Sequence, residues 1–156
     1  APHSVPVKSD DPLVDGAESL YWRAPELPLE NWTVFDEGRR GHRVRGGAFG
    51  WNDDGVSCYI ESILKALELD MLAVKDEPRN GVLSVRVLDV RDCLLGVAAD
   101  PNPEYISTDE LQSRDLAHAL IVHADDVGSK QLKKRTSALA KKAVIEHWGI
   151  GGQAAG

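Results

Sequence analysis

Short apolar runs separated by turn residues set the rhythm of this chain. Leu20, Tyr21 and Trp22 form a first run ending at Arg23, predicted as a strand and broken by Pro25 and Pro28. Trp32, Val34 and Phe35 form a second patch, with Trp32 and Val34 on strand alternation. Asn52-Asp53-Asp54-Gly55 signals a turn, and Val56–Ile60 follows as a strand rich in β-formers. The period then changes. Ile63, Leu64, Leu67 and Met71 recur at helical spacing, so a helix is predicted near 63–73 with Ser62 as its N-cap.

Residues 82–90 alternate, with Val82, Ser84, Arg86 and Leu88 on one face and Leu83, Val85, Val87 and Asp89 on the other. They are predicted as one long strand, with Asp89 to Cys93 then turning into a single helical turn. Residues 94–99 are apolar, Thr108 with Asp109 and Glu110 opens a short helix, and 116–122 reads as a buried strand holding His118. Leu132, Leu139 and Ala143, joined by Ala140 and Val144, line one stripe of a second helix over 129–148. No internal repeat and no heptad run is visible. The order implies an α+β single domain, with a small mixed or antiparallel sheet packed by two main helices. Residues 1–18, with three prolines and an acidic run, read as a flexible N-terminal arm. The domain is expected over 19–148, with a flexible Gly/Ala tail over 149–156.

Composition narrows the class. The chain has 156 residues, 42% hydrophobic and 28% charged, enough for one real core. Net charge of −7 and a pI near 5.2 argue against nucleic-acid binding by the surface as a whole. No apolar run approaches the roughly 20 residues that span a bilayer, so no membrane contact is expected. The first residues lack the basic-then-apolar layout of a signal peptide, and a cytoplasmic location is expected. Cys58 and Cys93 stand among apolar neighbours and read as buried free thiols; no Cys/His ligand spacing exists, so no metal is expected. Charge is unevenly placed. Residues 100–126 carry seven carboxylates against Arg114, while 129–148 carry six Lys and Arg residues against Glu146. That basic helix can match the acidic segment internally, stand as a solvated face, or meet an acidic partner.

Two places hold candidate chemistry. Residues 38–47, GRRGHRVRGG, combine forked donors with backbone freedom and can hold a phosphate or stand as a solvated loop. His118 is either a hydrogen-bonded core histidine or a site residue tuned by a carboxylate such as Asp115. A serine-hydrolase elbow is absent, because Gly55-Val56-Ser57-Cys58 ends in Cys where G-x-S-x-G needs Gly.

Leu20-Tyr21-Trp22-Arg23, then Gly46-Gly47 with Asn52 and Gly55, then Cys58-Tyr59-Ile60-Glu61-Ser62 and Ala66-Leu67-Glu68, resemble the RES-domain toxins. These are ADP-ribosyltransferase-like proteins of bacterial toxin–antitoxin systems. Asp100-Pro101 followed by Ala117-His118-Ala119 is similar to a set of small bacterial proteins of no established activity. The first resemblance implies NAD as substrate, cleavage of its nicotinamide–ribose bond, and an antitoxin-like protein partner, with no resident cofactor. The site residues would be Glu68 and His118 for catalysis, and Arg23, Arg43, Arg45 and Tyr59 for substrate binding, with Glu61 as a reserve carboxylate. A carboxylate stabilises the positive charge that develops on the ribose. The rival expectation is a non-catalytic antitoxin- or immunity-type module that binds through the basic helix.

Overall fold

The computed structural model describes residues 10–24, 29–104 and 106–149. Within them run eight strands: β1 (Ser19–Arg23), β2 (Thr33–Asp36), β3 (Gly41–Val44), β4 (Val56–Ile60), β5 (Val82–Arg86), β6 (Gly96–Ala99), β7 (His118–Val122) and β8 (Val144–His147). Three α-helices join them: α1 (Glu61–Ala66), α2 (Val87–Asp92) and α3 (Ser129–Ala140). Six strands form one antiparallel sheet in the order β6-β7-β4-β1-β5-β8, and β2 pairs with β3 in a separate hairpin. The fold is α+β, as expected.

Strand alternation sorts the sheet into two unlike faces. Leu20, Trp22, Val56, Cys58, Ile60, Leu83, Val85, Val97, Ala119 and Ile121 are buried on one face. They form the main core with Val87 and Val90 of α2, and with Leu139 and Ala140 of α3. The Trp22 ring stacks on Phe49 at 4.5 Å, and its Nε1 donates to the Ala48 carbonyl at 2.9 Å. The second face carries a polar row. Register places His118 opposite Tyr59, Tyr59 opposite Tyr21, and Tyr21 opposite Ser84, so four strands contribute to one line. A smaller apolar cluster of Leu64, Val74, Val82 and Ala117 covers part of this face.

Three predicted elements are shorter than their patterns. Residues 82–90 leave the sheet after Arg86, because Val87 and Val90 also satisfy helical spacing and bury against the main core. The helix expected over 63–73 starts one residue after Ile60 and ends at Ala66. Leu69, just after α1, and Met71, in a separate 3-10 turn, Met71–Val74, still reach the smaller apolar cluster. Ser62 is not the cap; its hydroxyl donates to Glu18 at 2.6 Å. The helix expected over 129–148 stops at Ala140, and β8 pairs with the otherwise open edge of β5. A longer helix would leave those backbone groups of β5 unpaired. The expected pair of helices is therefore three. The 38–47 segment is not one loop, since it holds the β2–β3 turn, β3, and the start of a 3-10 turn, Gly46–Phe49.

Residues 10–18 of the expected arm are tied down, while 1–9 and 150–156 lie outside the described residues. Asp11 donates its N–H to Val97 O at 2.8 Å, and Val97 N–H donates to the Asp10 carboxylate at 2.9 Å. The segment thus satisfies the free edge of β6. Arg91 holds it there by bonds to Asp10 and to the carbonyls of Asp11 and Val14.

Candidate functional site

His118 sits at the first position of β7, beside the turn that brings Asp100 back from β6. It is 1% exposed. Its Nδ1 lies 3.0 Å from the Asp100 carbonyl oxygen and 3.2 Å from Asp100 Oδ2. Both are acceptors, so Nδ1 carries the proton. Neutral imidazole then has its lone pair on Nε2, and that atom lies 2.6 Å from Ser57 Oγ. Ser57 therefore donates to His118, and His118 donates to Asp100. Burial lowers the His118 pKa from its ordinary 6.5, outweighing the opposite pull of Asp100 and Asp115. Near neutral pH the ring is unprotonated and able to take the hydroxyl proton.

Ser57 reaches this position by simple alternation. Val56, Cys58 and Ile60 of β4 point into the main core, so Ser57 and Tyr59 point the other way. Leu120 pairs with both Ser57 and Ala98, and with Val122 these form a small apolar strip beside the hydroxyl. Tyr59 meets the His118 ring edge-on at 5.4 Å and lies under the Arg114 guanidinium at 5.5 Å. Burial raises the Tyr59 pKa against the pull of Arg114 and Arg23.

Arg23 and Arg114 converge on the next part of the face. Both bind Asp76, at 2.8 and 2.6 Å, and both donate to carbonyls of 73–75, the backbone of the 3-10 turn and its exit. Their clearest work is to clamp that segment to the sheet. Two cations still share one carboxylate there. Arg114 Nε and Asp115 Oδ1 are buried with no hydrogen-bond partner among the described residues. At the far end of the polar row, Tyr21 donates to Glu61, and Ser84 donates to Glu146 at 2.7 Å. Burial, then Glu61, pushes the Tyr21 hydroxyl well above its ordinary range.

The structure thus joins Arg23, Tyr59 and His118 of the residues picked from sequence. It does not join the others to them. Glu68 is exposed, in a left-handed turn after α1, with no hydrogen bond or ion pair to Arg23, Arg43, Arg45 or His118. Arg43 pairs with Asp36 on the β2–β3 hairpin, at 3.1 Å, and Arg45 lines a groove against α3. The carboxylate on His118 is Asp100, whereas Asp115 accepts from the Gln112 N–H and acts on His118 only through its charge. Sequence reasoning missed Ser57 and Asp100. The available signal was alternation, which puts Ser57 and Tyr59 on one face, but the partner strand was not legible.

Among the described residues no group of His, Cys, Asp and Glu side chains is arranged to hold a metal ion, and no helix is long and apolar enough to cross a membrane. Comparison with protein-family models, curated proteins and solved structures found no match to this chain.

Proposed function

We propose that the protein is a serine hydrolase acting on small acyl esters, with Ser57 as nucleophile, His118 as general base and Asp100 as the group that orients it. The observation that supports this reading is the directed relay from Ser57 Oγ through the buried His118 ring to Asp100, with hydrogen-bond spacing at both steps. Such a constellation is recognised by geometry and roles, and it recurs without any fixed sequence order. Ser57 Oγ attacks the acyl carbon and gives its proton to His118 Nε2. The imidazolium, held against the Asp100 carboxylate, returns the proton to the departing alcohol. Water then hydrolyses the acyl–Ser57 ester by the reverse proton path.

A second reading keeps the likeness to RES-domain toxins. What favours it is the meeting of Arg23, Tyr59 and His118, with Glu61 on the same row in place of Glu68. One experiment separates the two. Wild-type and Ser57→Ala proteins are treated with a fluorophosphonate, p-nitrophenyl acetate and, separately, NAD. The hydrolase reading expects a label mapping to Ser57 by mass spectrometry, and ester turnover lost in Ser57→Ala by at least about 1,000-fold. Equal turnover by the variant, with no label at Ser57, sinks it. Nicotinamide release by both proteins would establish the second reading instead.

A further inference from the structure

We propose that the groove between α3 and the Gly46–Phe49 turn binds a phosphomonoester that carries a planar ring. The groove encloses about 410 Å³. That is within the range of small-ligand sites. It stands on the α3 side of the sheet, whereas Ser57 faces the other layer, so this site is separate from the relay.

Its lining has one sign of charge. Arg45 and Lys133 are its charged side chains, and neither makes an ion pair with a described residue. Two cations with no carboxylate between them match a phosphate dianion, which a guanidinium and an ammonium grip by charge-assisted hydrogen bonds. Ser129 and Ser137 add hydroxyls on the same wall. Gly46 packs close to Ser137, since a Cβ there would stand in ordinary contact at 3.5 Å from Ser137 Oγ.

The other wall is aromatic and fixed. Trp51 donates its indole N–H to Thr136 Oγ1 at 2.9 Å, and Thr136 donates onward to Leu132 O at 2.7 Å. Both polar groups are therefore engaged within the protein. His123 meets the indole edge-on at 5.2 Å. The groove is left with the apolar surface of Trp51 and Leu132 near two cations, which suits a flat ring attached to a phosphate. The net charge of −7 disfavours a long polyanion, so the ligand is a small one.

The test uses the full chain, titrated calorimetrically with AMP, adenosine and inorganic phosphate at low salt. AMP should bind more tightly than either half, and raising the salt should weaken it. Arg45→Gln and Lys133→Gln should each reduce AMP affinity about tenfold, the size expected for one hydrogen bond to a charged group. Both are surface changes, so circular dichroism and Tm without ligand should match the wild type. Ser57→Ala should bind AMP as the wild type does, which keeps this site distinct from the hydrolase reading. No AMP binding at millimolar concentration, or equal affinity in the Arg45→Gln/Lys133→Gln protein, overturns the proposal. Phosphate binding as tightly as AMP also overturns it, because the ring then contributes nothing.

Discussion

At the scale of single residues, orientation decides chemistry. His118 is buried and neutral, with its tautomer set by two acceptors of one residue, the Asp100 carbonyl and carboxylate. Asp100→Asn keeps the carbonyl and removes the charge. The tautomer should survive, while the imidazolium formed during attack loses its counter-charge. Ester turnover should fall about 10- to 100-fold at nearly constant KM, corresponding to about 1.5–3 kcal/mol for a hydrogen bond to a charged group. The acid limb of the pH–rate profile should also move further below 6.5, since Asp100 raises the His118 pKa. A variant with wild-type turnover and an unmoved profile would remove Asp100 from the relay. The roles of Ser57 and Asp100 were not legible in sequence because they depend on which strand lies beside β4.

At the scale of elements, one unit occurs twice. β4 runs directly into α1, and β5 runs directly into α2. Each strand has five residues and each helix six. Each helix ends in a left-handed residue, Glu68 at φ 61° and Leu94 at φ 63°. In both, the next N–H reaches back five residues: Leu69 to Leu64 O, and Leu95 to Val90 O. This closure usually takes glycine at the left-handed position. The two sequences share too little for the repeat to show, since backbone hydrogen bonds rather than side chains define it. Leu94 is 68% exposed, so its side chain contributes little packing. Leu94→Gly should therefore raise stability by up to about 1 kcal/mol, the left-handed penalty of about 1–2 kcal/mol less the entropy cost of glycine. Leu94→Val should lower it. Urea unfolding of both variants checks this, and the opposite order would mean that Leu94 packs more than its exposure indicates. The same argument places Glu68 as the residue that turns the chain out of α1.

At the scale of the whole molecule, the sheet divides the protein into an apolar half and a half that buries polar groups. The polar half makes stability depend on pH. His118 and His147 both have pKa values lowered from 6.5, first by burial and, for His147, also by Lys75. Each binds its proton more readily when unfolded. Their contribution is thus fully present above pH 6.5 and is lost as pH falls through 6.5 toward the folded pKa. The slope is at most about 1.4 kcal/mol per pH unit per histidine. Urea midpoints should drop between pH 7.5 and 5.5, and by less in His118→Asn. A flat wild-type profile over that interval would contradict buried, neutral His118.

Sequence alone determined what one-dimensional patterns can carry. The α+β class, the β1 and β4 strands, the Asn52–Gly55 turn and the burial of Cys58 and Cys93 all follow from alternation, turn chemistry and apolar content. Tertiary structure decided where periods switch and which strands meet. Residues 87–92 fit both a strand and a helix, and packing against the core selected the helix. Ser57, Asp100 and His118 lie far apart along the chain, and only antiparallel pairing of β4, β7 and β6 brings their side chains together. Local propensity acts over a few residues, whereas the site depends on register between strands up to about 60 residues apart, fixed by burial of the opposite face.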